Sequence, residues 1–317
     1  MTKNIVIKII SSRNVQSAID LIQSSEHTDR NKSSWDFNKM TALVAYKDNE
    51  LIGVIPFEQH TIKIDQEADA EILWITAAYI KQEYRSIGIG SSMDNEIKNF
   101  FPEKKYVFVM RHNEGTLAYK WYVKNGYKVL SEVHSLKLNK NNFNKLSYHN
   151  YEVINEYDQI KSLSEELLSS FNSYNSFKFN FPKRNLASWT DRLKYHYYSN
   201  YYDYNIILNT SSKDLTNFAL IGLTSFKDNI FRIDILEISC LNNFSEFKNL
   251  IGNVIYYANQ RDVSEIRVQV AVKDYLHEYF SKLGFTHRWN TNLMIKPLSD
   301  KIELNFVNTR FFQIDYI

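Results

Sequence analysis

The sequence predicts an α/β (α+β) chain made of two tandem copies of one plan, each a mixed, mostly antiparallel twisted sheet flanked by helices. Three observations predict it. Short β-rich runs alternate with amphipathic helical segments along the whole chain, as a sheet covered by helices requires. A hairpin, a buried strand, a helix, a strand and a glycine-terminated helix follow one another twice, in the same order. The matched glycines Gly126 and Gly284 lie 158 residues apart (284 − 126), about half of the 317-residue chain.

In the first half, residues 3–10 read as a strand, and Ser12 is placed to cap a helix whose apolar face uses Val15, Ile19 and Ile22. The start also has a faint signal-peptide character, but Lys8 interrupts it and no small-residue cleavage site follows. A polar stretch at 25–40 has Trp35 as its anchor. Residues 41–64 then form a hairpin around Lys47, Asp48, Asn49 and Glu50. Residues 71–80, EILWITAAYI, are almost continuously apolar and predict a central buried strand. Glycines follow at 88 and 90. A helix over 91–100 places Met93, Ile97 and Phe100 on one face. The strand YVFVMRH precedes a helix from Thr116 to Lys124, which Asn125 and Gly126 stop. The strand YKVLSEVHSLKL closes the unit before an Asn-rich joint near 139–149.

The second half repeats the plan. DYNIILN at 203–209 and FALIGLTSF at 218–226 echo the first hairpin, with Leu220, Ile221 and Gly222 matching Leu51, Ile52 and Gly53. DILEISCL takes the place of the central strand, a helix at 245–260 and the strand EIRVQVAV follow, and HEYFSKLGF mirrors YKWYVKNGY. The expected domains are therefore 1–145 and 146–317.

Bulk properties exclude several function classes. A formal net charge of +2 gives no basic field for nucleic acid or anionic membrane. The aromatic segment 193–205 is accordingly read as packing rather than a single-strand platform. The single cysteine, Cys240, allows no internal disulfide and fits a reducing cytoplasm, and no apolar run is long enough to span a bilayer. The eight histidines show no ligand spacing, so no metal is expected.

A buried strand that ends in a glycine turn and opens a helix is a phosphate cradle in physical terms. The first amides of the helix have no intrahelical acceptor, and the helix dipole adds partial positive charge there. Gly88 and Gly90 allow close backbone approach, and Arg85 adds a cation. Only 8 glycines occur in the whole chain, so two at this spacing carry more information than usual.

Arg85, Ser86, Ile87, Gly88, Ile89 and Gly90, preceded by Ile80, Lys81, Gln82, Glu83 and Tyr84, resemble the signature of the GNAT superfamily of acyl-CoA N-acyltransferases. The order of elements over residues 3–138 is also that family's. The resemblance implies acetyl-CoA as co-substrate, held by the backbone at Tyr79 and Ile80 along the pantetheine arm. It implies that amides from Ser86 to Ser91 hold the pyrophosphate. The family's tyrosine four residues before the glycine–aromatic helix end falls at Tyr122, giving a general acid for the departing thiolate. The family's asparagine near the start of that helix falls at Asn113, two residues further from the glycine than usual. Some relatives place a glutamate on the central strand where this chain has Trp74; Glu71 lies on the opposite face by alternation, so no catalytic base is carried over. Glu58 and His60 qualify only by residue type, beside a water chain.

The second half lacks this chemistry. It has no Arg-x-x-Gly-x-Gly after its central strand, and Phe280 stands where Tyr122 stands in the first half. The interval from Gly53 to Gly126 is 73 residues and that from Gly222 to Gly284 is 62, a deficit of 11 (73 − 62) that matches the missing turn. The expectation is a cytoplasmic N-acetyltransferase, monomeric or homodimeric, with a small-molecule primary amine as acceptor and a degenerate second domain. The alternatives are transfer of a longer or carrier-bound acyl group, and acyl-CoA sensing without turnover.

Overall fold

The computed structural model describes residues 5–11, 17–18, 20–21, 41–64, 68–75, 77–110, 113–145, 151–176, 181–182, 189, 203–209, 217–225, 231–240 and 243–299. Ser12, Val15, Ile19, Ile22, Trp35 and most of 193–205 lie outside them. The chain forms two compact units interleaved in sequence. The first comprises Met1–Ile62, Asp69–Leu130 and Asn292–Asn305; the second comprises Lys63–Ala68, Ser131–Thr291 and Phe306–Ile317. This division differs from a boundary at 145. Residues 131–145 belong to the second unit, and the first unit is completed from the far end of the chain.

The first unit is built on β1 (Ile5–Ser11), β2 (Thr41–Lys47), β3 (Glu50–Ile64), β4 (Ala68–Ile75), β5 (Tyr79–Ile80), α1 (Ile89–Phe100), β6 (Tyr106–Met110) and α2 (Leu117–Lys124), after which β7 (Lys128–Asn139) begins. β1, β2 and β3 are antiparallel neighbours. The β2–β3 turn closes through Asp48 and Asn49, both with positive φ, the backbone that a tight hairpin needs. β4 runs parallel to β6, from Ile72 opposite Tyr106 to Ile75 opposite Val109. Leu73, Ile75, Val107 and Val109 therefore face one side, where they meet Ile89, Met93 and Ile97 of α1 and Tyr122 of α2. Ala18 closes a smaller cluster with Ala42, Val44 and Val54.

The central strand expected over 71–80 is broken. β4 ends at Ile75, and the chain resumes as β5, which pairs with β3 through Gly53 opposite Ile80 and Val54 opposite Tyr79. β5 keeps β3 as its neighbour, as β4 does, and among the described residues it no longer pairs with β6. Gly53 permits this close approach, since a Cβ there would lie 2.5 Å from Ile80 Cδ1.

The second unit contains β8 (Tyr151–Ile154), α3 (Tyr157–Ser176), β9 (Asp203–Asn209), β10 (Phe218–Ser225), β11 (Phe231–Ser239), α4 (Phe244–Gln260), β12 (Glu265–Ala271) and α5 (Tyr275–Lys282), and then β13 (Thr286–Pro297) begins. β8 to β11 are antiparallel in the order β8, β9, β10, β11, and β12 is parallel to β11 and antiparallel to β7. The core holds Trp189, Phe218, Phe247, Tyr257 and Phe280. The two helices that end in a glycine close identically. Gly126 and Gly284 have φ of 89° and 88°, and the next amide returns 3.1 Å to the carbonyl of Tyr122 or Phe280. β8, α3 and β13 are elements that the repeat pattern did not reveal.

β13 passes from the second unit to the first at Asn292. Its residues Leu293 to Pro297 pair antiparallel with Met110 to Tyr106 of β6. The first unit's sheet thus runs β1, β2, β3, β4, β6, β13.

Candidate functional site

The segment from Tyr79 to Ser91 assembles as a strand edge, a 3-10 turn at Gln82–Tyr84 and the start of α1. Glu50, at the start of β3, anchors the turn by accepting from Lys81 at 2.5 Å and from the Tyr84 hydroxyl at 3.0 Å. The Lys81 bond, then the Tyr84 bond, hold the Glu50 carboxyl below its usual range. Arg85 is exposed; its Nε donates to the Ile80 carbonyl at 2.8 Å, and its guanidinium carbon lies 5.4 Å from the centre of the Tyr79 ring. The cation is thus folded back along β5, and among the described residues no carboxylate forms an ion pair with it.

Beyond Arg85 the backbone turns left-handed twice, at Ser86 (φ 64°) and Gly88 (φ 89°). Such a turn gathers successive N–H groups into an anion-binding concavity. The first intrahelical bond of α1 is from Ser92 to the Gly88 carbonyl at 2.9 Å, so the amides of Ile89, Gly90 and Ser91 precede it. Gly88 caps the helix without any side-chain acceptor, and no acidic residue stands in the first turn. A Cβ built at Gly88 meets nothing within 4 Å and would project into open space. Gly90 serves differently: its Cβ position lies 3.4 Å from the indole of Trp121, so this glycine lets α2 pack closely on the first turn of α1.

Trp121 therefore ties α2 to the cradle, and Tyr122 is its neighbour. Tyr122 is 3% exposed, with its ring edge-on to Trp121 at 4.7 Å and to Tyr127 at 4.9 Å. Burial first, and then the Asp94 charge, push its phenol well above the ordinary tyrosine value. Asn113 is exposed in the turn before α2, where its carbonyl accepts the Thr116 hydroxyl at 2.9 Å while the Thr116 hydroxyl caps Tyr119. Asn113 stands three residues before the helix cap rather than in the helix.

Trp74 is buried and stacks on Phe108 at 5.8 Å, with the His60 ring edge-on at 6.3 Å. Glu71 accepts instead from Thr61 at 2.5 Å and from Lys104 at 3.2 Å. Glu58 and His60 pair with each other at 3.1 Å. None of these brings a carboxylate to the position that Trp74 fills.

Sequence reasoning missed a buried polar cluster. Asp94 of α1 is 1% exposed, accepts the Tyr127 hydroxyl at 2.9 Å and is ion-paired with Lys296 of β13. Burial raises the Asp94 carboxyl above its usual range, against the opposing effects of Lys296 and Tyr127. The signal for Asp94 was present, because it falls between Met93 and Ile97 on the buried stripe of α1. No local signal marks Lys296.

Among the described residues the second unit has no equivalent turn. Its α4 is capped by the Asn243 side chain, which accepts the Ser245 amide at 2.9 Å, and Glu246 stands in the first turn. Both features satisfy or repel what an anion would need. Phe280 is fully buried between Phe247 and Phe285. Among the described residues no cluster of three or more His, Cys, Asp or Glu could hold a metal ion, and no helix is long and apolar enough to cross a membrane.

Residues 14–127 match the acetyltransferase (GNAT) family. Among solved structures, a protein of unknown function from Enterococcus faecalis V583, described as a probable N-acyltransferase, is similar with a TM-score of 0.71 at 12% identity, covering 94% of this chain and 73% of that one. A GCN5-related N-acetyltransferase from Anabaena variabilis gives 0.68 at 12% identity, covering 93% and 73%. A tandem GNAT protein from the clavulanic acid biosynthesis pathway gives 0.56 at 9% identity, covering 94% and 100%. At these identities the likeness establishes the fold: two tandem GNAT-like units. No curated protein matches the sequence.

Proposed function

We propose that the chain is an acyl-CoA-dependent N-acyltransferase that moves acetyl from acetyl-CoA to the primary amine of a small molecule. The single observation that carries the reading is the start of α1, which has no side-chain cap, where Ser86 and Gly88 turn left-handed and the amides of Ile89, Gly90 and Ser91 precede the first intrahelical bond, beside β5. Such a group of amides fits a pyrophosphate. The edge of β5 at Tyr79 and Ile80 fits an amide-bearing arm, which would add to it as a strand does.

An acyl thioester supplies an activated carbonyl carbon; the amine nitrogen forms the C–N bond and gives up one proton, the C–S bond breaks, and sulfur leaves with the electron pair and takes up a proton, so the net proton transfer is from nitrogen to sulfur. The residues of this chain would do the rest. The amides from Ser86 to Ser91 and the Arg85 guanidinium hold the phosphates, and the backbone of Tyr79 and Ile80 orients the arm. Tyr122, with its phenol held protonated by burial, donates a hydrogen bond to the charge that develops on sulfur. The amine is taken up neutral, since no carboxylate occupies the position of Trp74. The described residues of the second unit supply no second phosphate site.

Thiol release from acetyl-CoA in the presence of an amine panel tests this reading. Release that depends on a particular amine supports transfer. Tight CoA binding with no release for any amine would make the chain a binder of acyl-CoA instead.

A further inference from the structure

Asp94, Tyr127 and Lys296 lie beside the residue given the acid's role, and they come from distant parts of the sequence. Asp94 Oδ1 accepts the Tyr127 hydroxyl at 2.9 Å, and Oδ2 pairs with the Lys296 ammonium. Lys296 stands on β13 opposite Val107 of β6, and its Nζ lies 5.6 Å from the centre of the Tyr127 ring. Tyr127 meets the Tyr122 ring edge-on at 4.9 Å. The titratable groups that act on one another here are Asp94 from α1, Lys296 from β13, Tyr122 from α2 and Tyr127 just after α2. Packing alone gives no reason for this pair. Hydrophobic replacements of a buried ion pair are commonly neutral or stabilising, whereas loss of one partner leaves a buried charge.

We propose that Lys296 is a positioning residue for acyl transfer: its ammonium neutralises Asp94, which holds Tyr127 and through it Tyr122, so that Tyr122 faces the leaving sulfur without an uncompensated anion behind it. The proposal rests on the transferase reading above. It makes the reaction of the first unit depend on β13, the last of the described strands.

The test uses the full-length chain with carbon-13-labelled tyrosine, in which the resonance lost in Tyr122→Phe reports on Tyr122 without turnover. In Lys296→Met, Asp94 keeps its desolvation but loses its cation, so its titration moves upward and the Tyr122 resonance shifts with pH across the neutral range. In the parent and in Lys296→Arg the resonance stays constant there. A flat resonance in Lys296→Met would overturn the proposal, whether or not any amine proves to be a substrate.

Turnover adds a second arm. Lys296→Met is expected to lower kcat about tenfold or more with the KM for acetyl-CoA held within about twofold, and Lys296→Arg to recover most of the loss. The ratio of variant to parent rate should fall as pH rises, because ionised Asp94 then opposes negative charge on sulfur. A ratio independent of pH, or equal losses in kcat and CoA affinity, contradicts the positioning role. If Lys296→Met does not fold, Asp94→Asn/Lys296→Met removes both charges while keeping the shape of the cluster. It should fold, with a Tyr122 resonance as constant as the parent's; a resonance that still titrates would count against Asp94 as the link. If no amine responds, the transferase reading fails while the resonance arm still decides the coupling.

Discussion

At the residue scale, Tyr122 combines two properties that pull in different directions. Its burial keeps the proton on the phenol throughout the ordinary pH range, which suits a donor, yet it also makes complete proton transfer costly. The role that fits both is hydrogen-bond donation to sulfur. Tyr122→Phe should therefore lower kcat by about 10²-fold, at the low end for general acids, and leave CoA affinity nearly unchanged. Steady-state kinetics beside calorimetry check it, and unaltered turnover would remove Tyr122 from the mechanism. The sequence pointed to Tyr122 through its spacing from Gly126, because that interval is set by one short helix. It could not point to Lys296, because the pairing of β13 with β6 joins residues nearly two hundred positions apart and leaves no local pattern.

At the scale of elements, the glycine turn and the helix it opens were legible because each follows from backbone chemistry in a short window. The break in the central strand was not. EILWITAAYI is almost continuously apolar, and nothing within it shows that β5 will keep β3 while parting from β6. The two signature glycines also looked equivalent, but they differ in kind. Gly88→Ala places a Cβ on a left-handed backbone and should cost about 1–2 kcal/mol, with weaker CoA binding. Gly90→Ala has ordinary helical backbone and only the Trp121 contact to accommodate, so its stability should stay within about 1 kcal/mol of the parent. Thermal melts of the two variants separate these cases. Equal destabilisation would show that both positions are packing glycines.

At the scale of the whole molecule, the repeat was visible in sequence because hairpin, helix and glycine cap recur at one spacing, but the exchange of the last strand was not. A contiguous fragment 1–145 lacks Met294 from its apolar cluster and Lys296 from Asp94. Loss of one partner from a buried pair costs about 3–5 kcal/mol, a large part of a domain's stability. The fragment should give no cooperative melt by circular dichroism. A sharp transition near that of the full chain would show that β13 is dispensable.

The second unit should respond to acid through its histidines. His277 lies 2.9 Å from His134, which also meets the His287 ring. Burial, then His134 and His287, hold the His277 imidazole below its ordinary value of 6.5. The unfolded chain binds the proton more readily, so this contribution to stability is present above that value and is lost as pH falls through the lower folded one. Melting temperature should therefore drop on acidification from neutral pH, and less steeply in His277→Gln. Equal slopes would contradict the assignment.

The central claim is that the first unit alone holds the phosphates of acyl-CoA, at the turn from Arg85 to Ser91. Calorimetric titration of the full chain with CoA, beside the Arg85→Glu/Gly88→Asp variant, tests it most directly. The claim predicts one CoA per chain and an affinity at least about tenfold weaker in the variant, from like charge placed at the cradle. Two sites per chain, or an affinity the variant leaves unchanged, would contradict it.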